Sequence, residues 1–404
     1  MSITRHDHKG RVYVRFARPV KQQARGGKAR WSLVLWVGAL GWGTGCATPG
    51  IGVRAVPYPV AMSYNAELAY LVFPDQADAV IRADFAEIGK LGFDTVVLRH
   101  LARDRESDVS TAVRDAGLRL AATPAPVQSF LRTGQYPTKC RSVDDLVARC
   151  HTADGPSVWI LGPLTDASSG ERAQQVAKAC RWLNPAPVTL AYLADRAVEP
   201  AVDSAVDLLA ATMDPAPMKR SGGLMLLDCR RDANVPVADA PPEWLARYHA
   251  GLAAGLTGGL IVQGFRAVPG TRRGLAGMDD RGGYDVSTGL RRLTDRARQW
   301  GPRLRRSHPQ PLQSANSVDP ALQLVLFVSS KRRLVLLHNT ATDRYVRGQA
   351  LLAPDSTATE RVLRAVQVPA NALQITGLVI QAKTRGLTLP FDLAPGDATL
   401  WELF

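Results

Sequence analysis

The stretch Ile81-Arg-Ala-Asp-Phe-Ala-Glu-Ile-Gly-Lys-Leu-Gly-Phe-Asp-Thr-Val-Val-Leu-Arg99 changes hydrophobic period in its middle. Ile81, Phe85, Ile88 and Leu91 recur at helical spacing, Gly92 ends the helix, and Thr95 to Leu98 reads as a buried β-branched strand. One helix followed at once by one buried strand is a step of a parallel α/β fold. Working outward, strand-like runs alternate with helical ones from Pro57 on. The strands are Pro59–Tyr64, Thr95–Leu98, Leu118–Ala122, Val158–Leu161, Val188–Leu193, Asp207–Thr212, Leu224–Asp228 and Gly259–Gln263. Amphipathic stretches fall at 75–91, 107–116, 142–150, 170–183 and 241–256, with a helix or loop near 197–206 and a closing helix at 287–300. Eight alternations in about 250 residues suit a (β/α)8 TIM barrel. A doubly wound sheet is the competitor, but no Gly-x-Gly-x-x-Gly follows an early strand.

Residues 301–320 are rich in Pro, Arg and Ser without periodicity and read as a linker. From 321 to 404 the period becomes two. Leu322–Val328, Leu334–Leu337, Gly348–Leu352, Val362–Val368, Ile375–Gln381, Leu387–Leu393 and Thr399–Phe404 predict a separate small all-β sandwich.

The 404 residues are 46% hydrophobic, enough for a large core. The net charge of +14 is uneven: residues 1–30 carry nine Lys or Arg against Asp7, and only +6 remains for the rest. That remainder is dispersed arginine without aromatic interleaving, which argues against nucleic-acid binding. The basic start runs into Trp31–Trp42, an apolar segment of signal-peptide length, and then Gly43-Thr-Gly-Cys46. Small residues before a lone Cys resemble a bacterial lipoprotein processing site. Residues 1–56 therefore read as leader and tether, with Cys46 the lipidated residue and the protein exported to the periplasm or outer cell envelope and held at a membrane. Secretory cleavage or an uncleaved anchor are the alternatives. Export permits disulfides among Cys140, Cys150, Cys180 and Cys229; a Cys140–Cys150 bridge and buried free thiols are both consistent with the spacing. No CxxC, HExxH or His/Cys cluster suggests a metal, and no cofactor motif is present.

In a (β/α)8 protein the chemistry sits at the C-terminal ends of strands. Those positions hold Tyr64, Asn65, Glu67, Arg99, His100, Asp166, Asp195, Asp214, Asp228, Arg230, Gln263 and Arg266. Cleaving a glycoside takes two carboxylates, one protonated as acid and one ionised as nucleophile or base. "Leu-Gly-Phe" before a strand carrying Arg99, the run Ala250–Arg266 ending in Gln-Gly-Phe-Arg, and the Gly277-Met-x-Asp-x-x-Gly283 turn resemble the β-galactosidases of glycoside hydrolase family 42 over residues 57 to 300. The resemblance implies carbohydrate as partner and Asp228 at the place of the nucleophilic Glu, one methylene shorter. Aligned on Trp159, the family's Asn-Glu acid/base pair falls on Pro163 and Leu164, and Asp166 becomes the candidate acid only if that loop is rebuilt. Arg99, Tyr64, Gln263, Arg266 and Asp195 are the candidate substrate-binding residues, with Arg99 also a partner for Asp228. The same departure supports a second reading, a catalytically inactive barrel that binds glycan or scaffolds envelope proteins. Asp166 precedes Ala-Ser-Ser-Gly, and a helix cap is the structural alternative for it. A basic envelope protein for anionic polymers is a third reading, resting on dispersed arginine alone.

Overall fold

The computed structural model describes residues 5–6, 12–13, 58–65, 78–100, 106–137, 139–152, 154–193, 195–212, 223–228, 240–266, 286–305, 307–316, 318–330, 332–352, 364–371, 378–381 and 386–404. Within residues 1–54, a compact unit by itself, Arg5–His6 pairs antiparallel with Val12–Tyr13. The rest of the segment read as a leader, including Cys46, lies outside the described residues.

Residues 55–404 form the second unit. Eight parallel strands close into a barrel: β1 (Val60–Asn65), β2 (Thr95–His100), β3 (Arg119–Thr123), β4 (Val158–Leu164), β5 (Val188–Leu193), β6 (Leu208–Thr212), β7 (Leu224–Asp228) and β8 (Gly259–Arg266), with β8 paired back to β1. Ala61, Val97, Ala121, Ile160, Leu190, Leu208, Leu226 and Ile261 fill the interior, and the alternate residues pack outward under the helices. Burial on both faces is why these strands read as continuous apolar runs.

The deciding stretch behaves as its period demands. Helix α1 (Asp78–Lys90) buries Ile81, Phe85 and Ile88, and the chain reverses at Gly92 with φ +89°. A Cβ there would lie 2.7 Å from Thr294 Oγ1, which donates to Leu91 O at 2.7 Å and so ties α1 to the closing helix. Asp94 then pins the bottom of three strands. Its Oδ1 accepts from Val60 N (3.2 Å), Thr95 Oγ1 (2.7 Å) and Arg119 Nη2 (2.9 Å).

The remaining helices are α2 (Glu106–Asp115), α3 (Ala125–Thr133), α4 (Val143–Cys150), α5 (Ala167–Cys180), the single turn α6 (Glu199–Val202) after a 3-10 turn, α7 (Ala240–Ala253) and α8 (Val286–Leu304). Among them none is long and apolar enough to cross a membrane. Helix α3 was not anticipated; Val127, Phe130 and Leu131 bury its short apolar face.

Two expectations for the C-terminal region need correction. The linker read at 301–320 is partly structured: α8 continues through Pro302 to Leu304, and His308–Leu312 forms a strand, β9. Pro309 and Pro311 masked it, but an edge strand needs ladder N–H groups only at alternate residues. The β region is also not separate. Strands β10 (Leu322–Val328), β11 (Arg333–Asn339), β12 (Val346–Leu352), β13 (Arg364–Val368), β14 (Val379–Gln381), β15 (Leu387–Leu393) and β16 (Ala398–Leu403) form an antiparallel sheet of order β9-β10-β11-β16-β13-β14 and a β12-β15 ribbon. One sheet face, with Leu324, Leu326, Val335, Leu337 and Trp401, shares a core with ribbon residues such as Ala350, Leu389 and Phe391. The other face, with Val325, Phe327, Leu334, Leu336 and Leu400, belongs to the same core as Trp244, Tyr248 and Trp300 of α7 and α8. The boundary at 321 marks a change of architecture, not a break in the core.

Of the two alternatives for Cys140 and Cys150, the structure has the one without a bridge. Both are half-buried thiols outside any disulfide, and Cys180 is a buried thiol, also unbridged, whose pKa burial pushes up to about 12. Cys229 lies outside the described residues.

Candidate active site

The interior alternation sets the layer that opens at the C-terminal ends of the strands. On β7, Leu224 and Leu226 line the interior, so position 228 continues that series as the last residue of the strand. Asp228 stands in register with Gln263 on β8, and Gln263 with Ser63 on β1, which makes one polar row across three neighbouring strands. The Gln263 side chain is half-buried. Beyond it β8 bulges at Gly264 (φ +87°), and Arg266 regains register opposite Asn65. Position 64 alternates with Val60 and Met62, whose side chains pack in the outer core. On β2 the register slips between Leu98 and His100, so His100, not Arg99, stands opposite Thr123. His100 is thus the last residue of the strand. For Ser63, Tyr64, Asn65, Arg99, His100, Asp228 and Arg266 only backbone positions are described. Glu67, Asp214 and Arg230, and the turn at 277–283, lie outside the described residues.

At the end of β4 stand the two residues on which the family 42 resemblance placed the acid/base pair. Leu164 is fully buried in the outer core and Pro163 carries no proton to give. Asp166, the candidate acid, has its exposed carboxylate engaged in capping α5. Oδ1 accepts from Ser169 N and Ser168 Oγ, both at 2.7 Å, while Ser169 Oγ lies 3.2 Å from Asp166 N in a reciprocal capping box. The Ser168 hydroxyl and the Ser169 N–H hold its pKa down at about 2. A general acid must hold its proton near neutral pH, and these hydrogen bonds shift Asp166 in the opposite direction. Asp195 is likewise an exposed turn former. Its Oδ1 accepts from Ala197 N (2.8 Å), and its own N–H donates to Leu164 O (3.2 Å).

The opposite wall holds residues that the sequence reading passed over. Thr123, fully buried at the end of β3, turns its hydroxyl down to donate to Ile160 O. Tyr192 ends the interior series Val188, Leu190, Tyr192 on β5 and is half-buried against it. Alternation along that strand was the available signal. Among the described residues no group of three or more His, Cys, Asp or Glu could hold a metal ion.

No protein-family model and no curated protein sequence matches the chain. Solved structures do. A structure described as AmyP in complex with maltose superposes with TM-score 0.55 at 10% identity, covering 85% of this chain and 96% of that one. A glycoside hydrolase family 5 protein from Bacteroides vulgatus gives 0.52 at 9% identity over 86% and 89%. An α-amylase from Geobacillus thermoleovorans complexed with acarbose gives 0.50 at 10% over 86% and 98%. The likeness is one of fold: a (β/α)8 barrel with a β-rich C-terminal region, as in these glycoside hydrolases.

Proposed function

We propose that this chain is an exported, glycoside-hydrolase-like barrel, similar to the family 42 type, that binds carbohydrate at the C-terminal ends of its strands and lacks a proton donor for efficient hydrolysis. The observation that supports the reading is the end of β4, where Pro163 and a fully buried Leu164 stand at the positions the family 42 resemblance would give to the acid/base pair and Asp166 caps α5. Carbohydrate as ligand is supported by the fold shared with glycoside hydrolases and by the polar row at Asp228, Gln263 and Ser63. Export and anchoring through Cys46 are supported by the basic leader and apolar segment. Residual cleavage, where it occurs, would draw on Asp228 as nucleophile or base.

Calorimetric titration with cellopentaose, xylopentaose, maltopentaose and a β-1,4-galacto-oligosaccharide, with chromatography of the incubated sugars, tests this. Saturable binding of at least one sugar with at most trace shortening is expected. Rapid release of shortened products would overturn the non-hydrolytic reading, and no binding at all would overturn the carbohydrate reading.

A further inference from the structure

We propose that the outer face of α8, continued by the groove beside α1, is a docking track for an anionic glycan chain, separate from the barrel mouth; the choice of a glycan among polyanions rests on the carbohydrate reading above. The face is cationic along its length. Arg291, Arg292 and Arg298 are exposed, and Arg303 is half-buried with its guanidinium donating to Gln299 O. Helical spacing puts Arg291 with Arg298, and Arg292 with Arg303, in two adjacent rows. The one carboxylate among them, Asp295, is half-buried a turn from Arg291 and Arg298 and ion-paired with neither. On α1, α2, α4 and α7 the exposed arginine is neutralised: Arg82 by Asp115 and Arg114 by Asp154, both at 3.0 Å, Arg149 by Asp145 at 2.6 Å, and Arg247 by Glu243. Arg291, Arg292 and Arg298 have no such partner among the described residues. Like charges left unpaired on one helix face cost stability, and a bound anion relieves them.

The groove extends the track. A space of about 550 Å³ beside α1, the end of α2 and α8 is lined by Lys90, Gly117 and Arg298. Its two carboxylates are already satisfied, Asp115 by Arg82 and Asp94 by Arg119 at 2.9 Å, while Lys90 makes only a 3.7 Å contact with Glu87. A Cβ on Gly117 would meet nothing within 4 Å, so the floor there is open. Arg291 and Arg298 lie two turns apart, a rise of about 10 Å, which is the scale of a disaccharide and suits a chain carrying a carboxylate on alternate sugars. Guanidinium forks hold carboxylates through paired hydrogen bonds. Other polyanions fit less well. Among its described residues α8 exposes no large apolar side chain to enter a membrane, and the track exposes no aromatic ring on which bases could stack.

The test uses the chain isolated from its native envelope, so that the basic run at 1–30 contributes only where it belongs to the mature protein. It is footprinted with phenylglyoxal, which modifies accessible arginine, alone and with polygalacturonate, neutral dextran, duplex DNA or phosphatidylglycerol vesicles. Polygalacturonate should protect Arg291, Arg292 and Arg298 and leave Arg132 and Arg141 reactive, and dextran should protect none of them. The combined variant Arg291→Gln, Arg292→Gln, Arg298→Gln should lose about tenfold in affinity for polygalacturonate. The combined variant Arg132→Gln, Arg141→Gln, Lys178→Gln removes the same charge elsewhere on the barrel and should lose none. Should the first variant fail to fold, the wild-type footprint alone decides. Absent or uniform protection, or an equal loss in both variants, overturns the track and leaves the barrel-mouth reading standing. Equal protection by DNA or by vesicles overturns the glycan as occupant. Failure of the neutral oligosaccharides to bind, with local protection by polygalacturonate intact, overturns the barrel-mouth reading and not the track.

Discussion

Arg296 on α8 donates through Nη1 to Nε2 of His249 on α7 at 3.1 Å, in the fully buried seam between barrel and β-sheet. The donor fixes the tautomer: Nε2 accepts, so Nδ1–H donates to Gly396 O at 3.0 Å. Arg296 is also ion-paired with Asp397 and stacked over Trp300. His338 of β11 meets the His249 ring edge-on at 5.2 Å, and neither of its ring nitrogens has a hydrogen-bond partner among the described residues.

Both histidines are therefore kept neutral in the folded chain. Burial and then Arg296 push His249 well below its usual pKa, and burial lowers His338 to about 4. The unfolded chain protonates them near pH 6.5, so stability is full above that pH and declines as pH falls, by about 1.4 kcal/mol per pH unit for each histidine. The His338 contribution levels off near pH 4. Replacing this unpartnered imidazole, as in His338→Leu, should stabilise the protein by roughly 1 kcal/mol at pH 7 and flatten the acid limb of a urea-stability profile. An unchanged limb would show that His338 is not held neutral.

Gly92 and Gly117 both adopt positive φ, +89° and +71°, but their surroundings differ. A Cβ on Gly92 collides with Thr294, whereas one on Gly117 meets nothing within 4 Å. Gly117→Ala should cost only the backbone term of about 1 kcal/mol, and Gly92→Ala about 2 to 4 kcal/mol, read from urea denaturation. Equal costs would remove the proposed tie between α1 and α8.

Most of the barrel was legible in the sequence because strands buried on both faces must be apolar throughout, and helices between them must carry one apolar stripe. The β region was legible through its period of two. What escaped was set by local chemistry that hides the pattern: prolines at an edge in β9, a short helix in α3, and a strand sharing its core with α7 and α8 where a separate sandwich was expected. The site was legible only in outline. Asp166 carries the same side chain whether it caps or catalyses, and its hydrogen bonds to Ser168 and Ser169 as a cap could not be read from the sequence.

Removing that cap should affect folding and nothing else. Asp166→Ala should lower the melting temperature slightly, and Asp166→Asn less, because Asn is also a good N-cap. Neither should change sugar binding, which calorimetry would check directly. Loss of binding in Asp166→Asn would return Asp166 to the site.

The proposed leader implies its own removal. Mass spectrometry of the protein taken from its native envelope should find an acylated N-terminus at Cys46. An intact Met1–Lys28 segment on a soluble cytoplasmic protein would contradict export.

The central claim, a barrel mouth with a carboxylate at Asp228 and no proton donor at β4, is tested most directly by the dependence of hydrolysis on the leaving group. A general acid contributes roughly 10²- to 10⁴-fold, chiefly for poor leaving groups. Rates for a series of aryl glycosides of one sugar should fall steeply as the phenol pKa rises, vanish for the corresponding disaccharide, and be abolished by Asp228→Asn. A flat dependence with efficient disaccharide cleavage, unaffected by Asp228→Asn and lost in Asp166→Asn, would contradict the account.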